Sequence, residues 1–338
     1  MPPSSASIPV YDMREHVLAL TRPEQLFPGD LDAATARHRE LMLVWHPDKP
    51  GGHAGVAAKI NELFGLLKAK LAAGTWEGPT SIELARADGK PPIVIKSRRL
   101  VTTTWGRLIL ADHYVVSIAD AAHNGLVHHW WSKKFLFASA GMKEKCGHFV
   151  PDGYSIVPLV NGEMAVIIKK PADMLRLRDV RDHDRLDARH VAWMISELCS
   201  LACYLEFSGI VHHDLSLDTL FVDPEKHTLL LAGGWWHAHV VKSGISSVPK
   251  RTHDVMPFAA RRDKRASILT VLELVRLTGR ELLAHADPAP PAMTAWMTAT
   301  ASGSAIDCYK SWSRALTDSF GARKFVELSL TADAVYGR

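Results

Sequence analysis

The chain has 338 residues, is 47% hydrophobic and 22% charged, and carries a formal net charge of only +4. That is enough apolar material for one large or two ordinary cores. The charge is too small to argue for a nucleic-acid or membrane-surface protein. No basic start followed by an apolar run opens the chain and no apolar stretch is long enough to span a bilayer, so neither a signal peptide nor a membrane helix is expected.

In chain order, the Pro/Ser-rich residues 1–9 read as a tail. Residues 31–45, "LDAATARHRELMLVW", read as a helix with Asp30 as its N-cap, and Leu31, Ala34, His38, Leu41 and Trp45 share one stripe. "HPDKPGG" (46–52) cannot continue it, because two prolines and two glycines break the helix. A second helix, 54–72, carries Ala57, Ile60, Leu63, Phe64, Leu67 and Leu71 on one face. Two such helices joined by a short loop should pair antiparallel. Residues 76–92 read as a linker or an added edge segment. The β-branched runs across 93–118 predict strands, 121–140 is a candidate helix, and "YSIVPLV" and "EMAVIIKK" are strands again. Residues 186–209 form a strongly amphipathic helix burying Val191, Met194, Ile195, Leu198, Ala202 and Leu205. A loop and two short strands follow, then helical stretches at 264–285 and 304–330.

Helix, His46-Pro47-Asp48, helix resembles the J domain of DnaJ-type co-chaperones, with Arg39, Leu41 and Trp45 before the tripeptide and "INELF" (60–64) and Leu67 after it. The resemblance implies docking of this loop and the helix before it on a DnaK-type heat-shock chaperone, whose ATP hydrolysis it triggers. Asp48 would pair with a partner arginine, and Arg37 and Arg39 would steer encounter. The pattern departs from the family in its thin basic face, in Val44 where lysine is common and Ala57 where phenylalanine often packs. It also lacks the glycine/phenylalanine tract and the zinc module. On the residues alone, a proline-broken loop without a partner stays open.

"GIVHHDLSLDTLFVD" (209–223) resembles the catalytic loop of the protein-kinase fold. His212, His213, Asp214 and Leu215 match, but Thr219 stands where kinases place a magnesium-binding asparagine. The metal-binding aspartate of the next strand end is missing; Ala232 or Gly234 falls there, depending on register. The strand lysine is also missing. Lys96 ends one candidate strand, but a helix should follow the lysine, so "YVVSIAD" (114–120) is the preferred strand, with Ser117 or Ile118 at the position. The helix candidate after it holds no acid, and "TTTWGR" has a single glycine where a phosphate loop would lie. The resemblance therefore implies a degenerate, catalytically silent kinase-like domain. In the plainer reading, Asp214 caps backbone amides in a structural loop.

Other features point less sharply. His128, His129, Trp130 and Trp131, and Trp235, Trp236, His237 and His239, lack a metal pattern and read as amphipathic surface or core. The basic run 259–267 has the composition of a phosphate or nucleic-acid site but reads first as a solvated helix start, and Cys199 and Cys203 read as packing. The expected organisation is multidomain: an all-α J-domain-like helical hairpin (1–75), a linker (76–92) and an α+β, bilobal kinase-like domain (93–338). No cofactor and no metal are expected. The expected partners are a DnaK-type chaperone and an unidentified client, in the cytoplasm, without membrane or nucleic acid. The combination is similar to J-domain/kinase-like proteins of some large bacteriophages. Two alternatives are an atypical phosphotransferase with Asp214 as base and a non-catalytic scaffold or anti-host protein.

Overall fold

The structure is a computed structural model, and it describes residues 14, 17, 18, 20–27, 29, 31–73, 76, 82–132, 134–246, 248–322 and 326–336. The tail 1–9, the Asp30 cap and part of the 76–92 segment lie outside the described residues.

After a 3-10 turn at Pro23–Gln25 come two long helices, α1 (Leu31–Trp45) and α2 (Ala54–Ala72). They run antiparallel, since His38 Nε2 meets Asn61 Oδ1 at 2.8 Å and its ring stacks on Phe64 at 4.3 Å. Val17, Leu20, Phe27, Ala34, Leu41, Trp45, Val56, Ile60, Leu63 and Leu67 form a separate hydrophobic cluster. One expected core position is corrected: Leu31 is 48% exposed, because the helix begins there before its neighbours close over it. Val56, unread in the sequence, is fully buried beside the turn. Glu24 is buried but meets Lys70 Nζ at 2.6 Å, which ties the segment before α1 to the end of α2.

The remaining elements follow in order: β1 (Ile82–Leu84), β2 (Ile93–Ile95), β3 (Ser97–Thr103), β4 (Gly106–Ala111), β5 (Tyr114–Ala119), α3 (Ala140–Cys146), β6 (Tyr154–Pro158), β7 (Met164–Lys169), β8 (Leu175–Arg176), α4 (Leu177–His183), α5 (Ala188–Phe207), β9 (Ile210–His212), β10 (Leu220–Asp223), β11 (Thr228–Leu231), β12 (Ala238–Val240), α6 (Lys250–Val255), α7 (Phe258–Asp263), α8 (Ile268–Leu283), α9 (Pro291–Thr298), α10 (Ala305–Phe320) and α11 (Ala332–Tyr336). Strands β3 to β7 make a five-stranded antiparallel sheet in the order β3-β4-β5-β7-β6. Alternation along each strand splits its side chains. Ile109, Val116, Ile118 and Ala165 face the β1–β2 hairpin, and Leu108, Leu110, Val115, Val166 and Ile168 face the helical half. The result is a mixed α+β, multi-part fold. Among the described residues no helix is long and apolar enough to cross a membrane.

Three expected boundaries move. Residues 76–92 supply β1, which pairs with β2, so part of the linker is an edge element. The helix expected over 121–140 is a 3-10 turn at Asn124–His129, an irregular stretch, then α3 capped by Ser139. Here tertiary packing overrides local preference: Trp130 and Phe135 are drawn onto Trp236 and Trp235 instead of into one helical stripe. The stretch 304–330 stops at Gly321 (φ 69°) after a Ser304–Asp307 capping box.

Leu63→Ala should cost the helical pair about 2–5 kcal/mol, because Leu63 has no solvent exposure and its cavity is walled by both helices. Hydrogen exchange in the full chain reads this directly: amides of 54–72 lose protection while those of α5 keep theirs.

Candidate functional site

The first site is the bend between α1 and α2. The helical ladder reaches His46, whose N–H donates to Met42 O at 3.0 Å, and Pro47 has no N–H to extend it. Lys49 N donates to His46 O (2.9 Å), Gly52 N to Lys49 O (2.9 Å) and His53 N to Trp45 O (3.1 Å), which closes the bend on itself. Gly51 sits at φ 81°, and a Cβ on Gly52 would lie 1.9 Å from His46 O, so a side chain at 52 would open the turn. His53 then caps α2, its Nδ1 accepting from Val56 N at 3.2 Å. Trp45 is buried immediately before the bend, whereas Pro47, Asp48, Lys49, Pro50 and Gly51 are exposed. The Asp48 side chain is 86% exposed; His46 Nδ1 accepts from Asp48 N at 3.3 Å, which leaves its Nε2 edge as the donor.

The two steering arginines do not share a face. At 100° per residue, Arg39, Leu43 and His46 fall on one flank of α1, while Arg37, Glu40 and Val44 fall on another, with Arg37 about 160° from Arg39. Arg37 is also paired with Glu40 at 3.1 Å. Both arginines are exposed, and so are Leu43 and Val44. Of the two arginines, Arg39 is therefore the one on the flank that leads to His46.

The second site is the loop between β9 and β10. His212 ends β9 opposite Ala238 of β12, and His213 N donates to His237 O at 3.1 Å. The loop's carbonyls are held from several sides. Thr252 donates to His213 O, Thr219 Oγ1 to Asp214 O (2.6 Å), Arg251 Nη1 to Leu215 O (2.7 Å) and Arg178 N to Leu217 O (2.8 Å). Arg251 also forks onto Glu281, with both bonds at 2.8 Å. Thr219 thus spends its hydroxyl inside the loop, where it also accepts from Ser216 N at 3.1 Å. The expected capping role of Asp214 is corrected: among the described residues no backbone amide donates to its carboxyl. Burial pushes that carboxyl up to about 6, against the opposing pull of Ser216 and Arg251.

Gly234 has φ 71°, and a Cβ there would stand 2.8 Å from Asp214 Oδ2, so a side chain at 234 would strike the loop. Ala232 N and Gly233 N both donate to Thr219 O, which pins this segment against the loop. Ser117 is buried in β5 between Leu108 and Val166, on the sheet face that looks toward the helical half. Aromatic side chains occupy the ground between this face and the loop. Trp105, at the β3–β4 turn, meets Trp236 edge-on at 5.0 Å, and Trp130 meets Trp236 at 5.5 Å. Phe135 and His212 meet Trp235 at 5.0 and 4.8 Å. Trp130, Trp235 and Trp236 are core, whereas His128 and His129 are surface. The doublets "HHWW" and "GGWW" were the available signal, but nothing local says that they meet.

His213 and His239 bring Nδ1 atoms within 3.1 Å of each other and of His237 O. Burial and neighbouring imidazoles push His213 and His237 down to about 4, and His212 well below its ordinary value. Among the described residues no group of three or more His, Cys, Asp or Glu side chains is arranged to hold a metal ion. Cys199 and Cys203 of α5 converge with Cys308 of α10, which accepts from Arg276 Nη1 at 3.4 Å. Cys199 and Cys308 are buried and pack in the core.

No family model matches the chain, and no curated protein sequence matches it. The class of the molecule rests on its own architecture and residues.

The histidines set a pH dependence. Unfolded imidazoles protonate near pH 6.5, whereas His213 and His237 stay neutral in the fold to about 4 and burial holds His212 well below its ordinary value. The unfolded chain therefore binds more protons between about pH 6.5 and 4, and stability falls as pH falls. Asp214 opposes this, because its raised folded pKa makes the native state take up the proton first between about 4 and 6. Three imidazoles outweigh one carboxyl. Urea unfolding at pH 5 should give a free energy about 2–4 kcal/mol below that at pH 7, and His213→Gln should flatten the slope.

Proposed function

We propose that the protein is a J-domain-type co-chaperone that stimulates ATP hydrolysis by a DnaK-type chaperone, and that its larger unit is a catalytically silent kinase-like domain for a client or partner. The observation that carries the reading is the His46-Pro47-Asp48 bend. It lies exposed at the end of two paired helices, is braced by its own backbone hydrogen bonds, and has its carboxylate in solvent. A fixed bend keeps down the ordering cost of docking. The exposed Asp48 suits a charge-assisted contact with a partner arginine, and Arg39 supplies a cation on the flank that leads to His46.

The kinase-like part of the reading is supported by its two-part build, a five-stranded antiparallel sheet followed by a helical half, with the 213–219 loop framed by β9, β10 and the returning β12. Its silence is supported by three positions together. Ser117 offers a short hydroxyl where a lysine is needed, Thr219 is consumed within the loop, and a side chain at Gly234 would strike Asp214. Asp214 as the base of an atypical phosphotransferase gains nothing from these contacts.

Single-turnover ATP hydrolysis by a DnaK-type protein is the test. The parent chain should accelerate it, and His46→Gln and Asp48→Asn should each return it to the unstimulated rate. Arg39→Glu should weaken stimulation more than Arg37→Glu. A parent chain that gives no stimulation, or a His46→Gln chain that stimulates equally well, refutes the proposal. Separately, magnesium-ATP should leave the melting temperature of the parent unchanged.

A further inference from the structure

The formal charge of the whole chain is +4, yet residues 242–265 alone hold seven Lys and Arg against two Asp, a net of +5. The excess positive charge of the molecule is therefore local. It is also gathered by the fold. The basic run 259–267, expected as a solvated helix start, instead spans the end of α7 and one side of a small backbone clip. In that clip Gly244 bridges Arg265, Lys242 N donates to Ala266 O (2.8 Å), Ile245 N to Lys264 O (2.9 Å) and Ala266 N to Ser243 O (2.9 Å). Arg265 Nη1 also donates to Lys242 O at 2.9 Å. Lys242, Arg261, Arg262, Lys264 and Arg265 are consequently exposed on one small surface.

The backbone at this clip is unusual. Among the described residues three non-glycine residues have positive φ, and two of them are Lys242 (65°) and Lys264 (48°). Glycine takes that conformation freely and lysine takes it at a cost. A lysine at both positions points to a use for the side chain. Neither ammonium group is engaged by a partner among the described residues.

We propose that this clip docks an acidic polypeptide segment in which carboxylates alternate with apolar side chains. Charge complementarity selects the acid, and Arg forks suit carboxylates in particular. The apolar half is matched by Phe258, which is 67% exposed beside the cations, and by Val240 and Val241 at the clip's other end. A nucleic-acid strand fits less well. Its evenly spaced phosphates call for an unbroken cation track with several stacking rings, whereas here Asp263 sits among the arginines, paired with Arg262 at 2.7 Å, and Phe258 stands alone. The site lies apart from the bend, and its test does not involve the chaperone.

Fluorescence anisotropy with the full chain tests the docking surface, using a short labelled peptide of alternating Glu and Leu, its Gln-for-Glu analogue and a labelled oligothymidylate of equal charge. The Glu peptide should bind, weaken on raising the ionic strength to about 0.5 M, and bind more tightly than either control. Lys242→Gly with Lys264→Gly should weaken it about fivefold or more, while the melting temperature stays level or rises, because glycine accepts the positive φ. Arg261→Glu should weaken it in a chain whose clip is intact. The proposal is overturned if the parent does not bind the Glu peptide, if the oligothymidylate or the Gln analogue binds as tightly, or if the double variant binds like the parent.

Discussion

The packing of α1 against α2 is the constraint on which the proposed activity depends. Trp45 and Leu41 close against Val56 and Ile60 within one apolar seam, and that seam holds the two helix ends at a fixed separation. The eight residues between the ends then have few ways to connect them. Pro47 removes a donor, Gly51 and Gly52 accept conformations closed to other residues, and His53 N returns to Trp45 O. An exposed loop would ordinarily pay ordering entropy on docking. Here the helices have already imposed most of that order, and His46 and Asp48 stand at its exposed end. Sequence, local turn and packing thus converge on one presented edge.

The larger unit uses similar physics for a different end. Its 213–219 loop is fixed through carbonyls, with donors arriving from α6, from β8–α4 and from Thr219 within the loop itself. A loop so heavily anchored is stable without a ligand. Trp235 and Trp236, packed on Trp105, Trp130 and Phe135, bury a large aromatic surface beside Asp214. Charge is excluded from this ground: the imidazoles are held neutral and the Asp214 carboxyl is pushed up. Such an environment favours a rigid platform over the hydrated, metal-bound phosphates of nucleotide chemistry.

The helical pair was the most legible part of the chain. Its 3,4 spacing and its Pro/Gly break are local signals, and they placed both helices within a residue of their ends. Leu31 was misassigned because periodicity identifies a stripe but not where the opposing wall begins. The candidate helix at 121–140 failed for the opposite reason: its aromatic residues answer to partners a hundred residues away, which no local window contains. The convergence of Cys199 with Cys308, the bridging of Gly244 to Arg265 in the clip, and the separation of Arg37 from Arg39 around α1 share that origin. Each depends on how elements meet or turn, not on which residues are present. At Asp214 the sequence offers an acceptor for amides, but the need of the fold is the opposite. The loop requires donors for its carbonyls, and Thr219, Arg178 and Arg251 supply them.

The central claim is that the bend and its flanking helix are the surface that a DnaK-type chaperone engages. Hydrogen-exchange mass spectrometry of the full chain, with and without such a chaperone in its ATP-bound state, measures this at the level of segments. The account predicts new protection confined to residues 31–52, absent when Asp48 is replaced by Asn. Protection that appears only on the larger unit, or none at all at saturating chaperone, would contradict it.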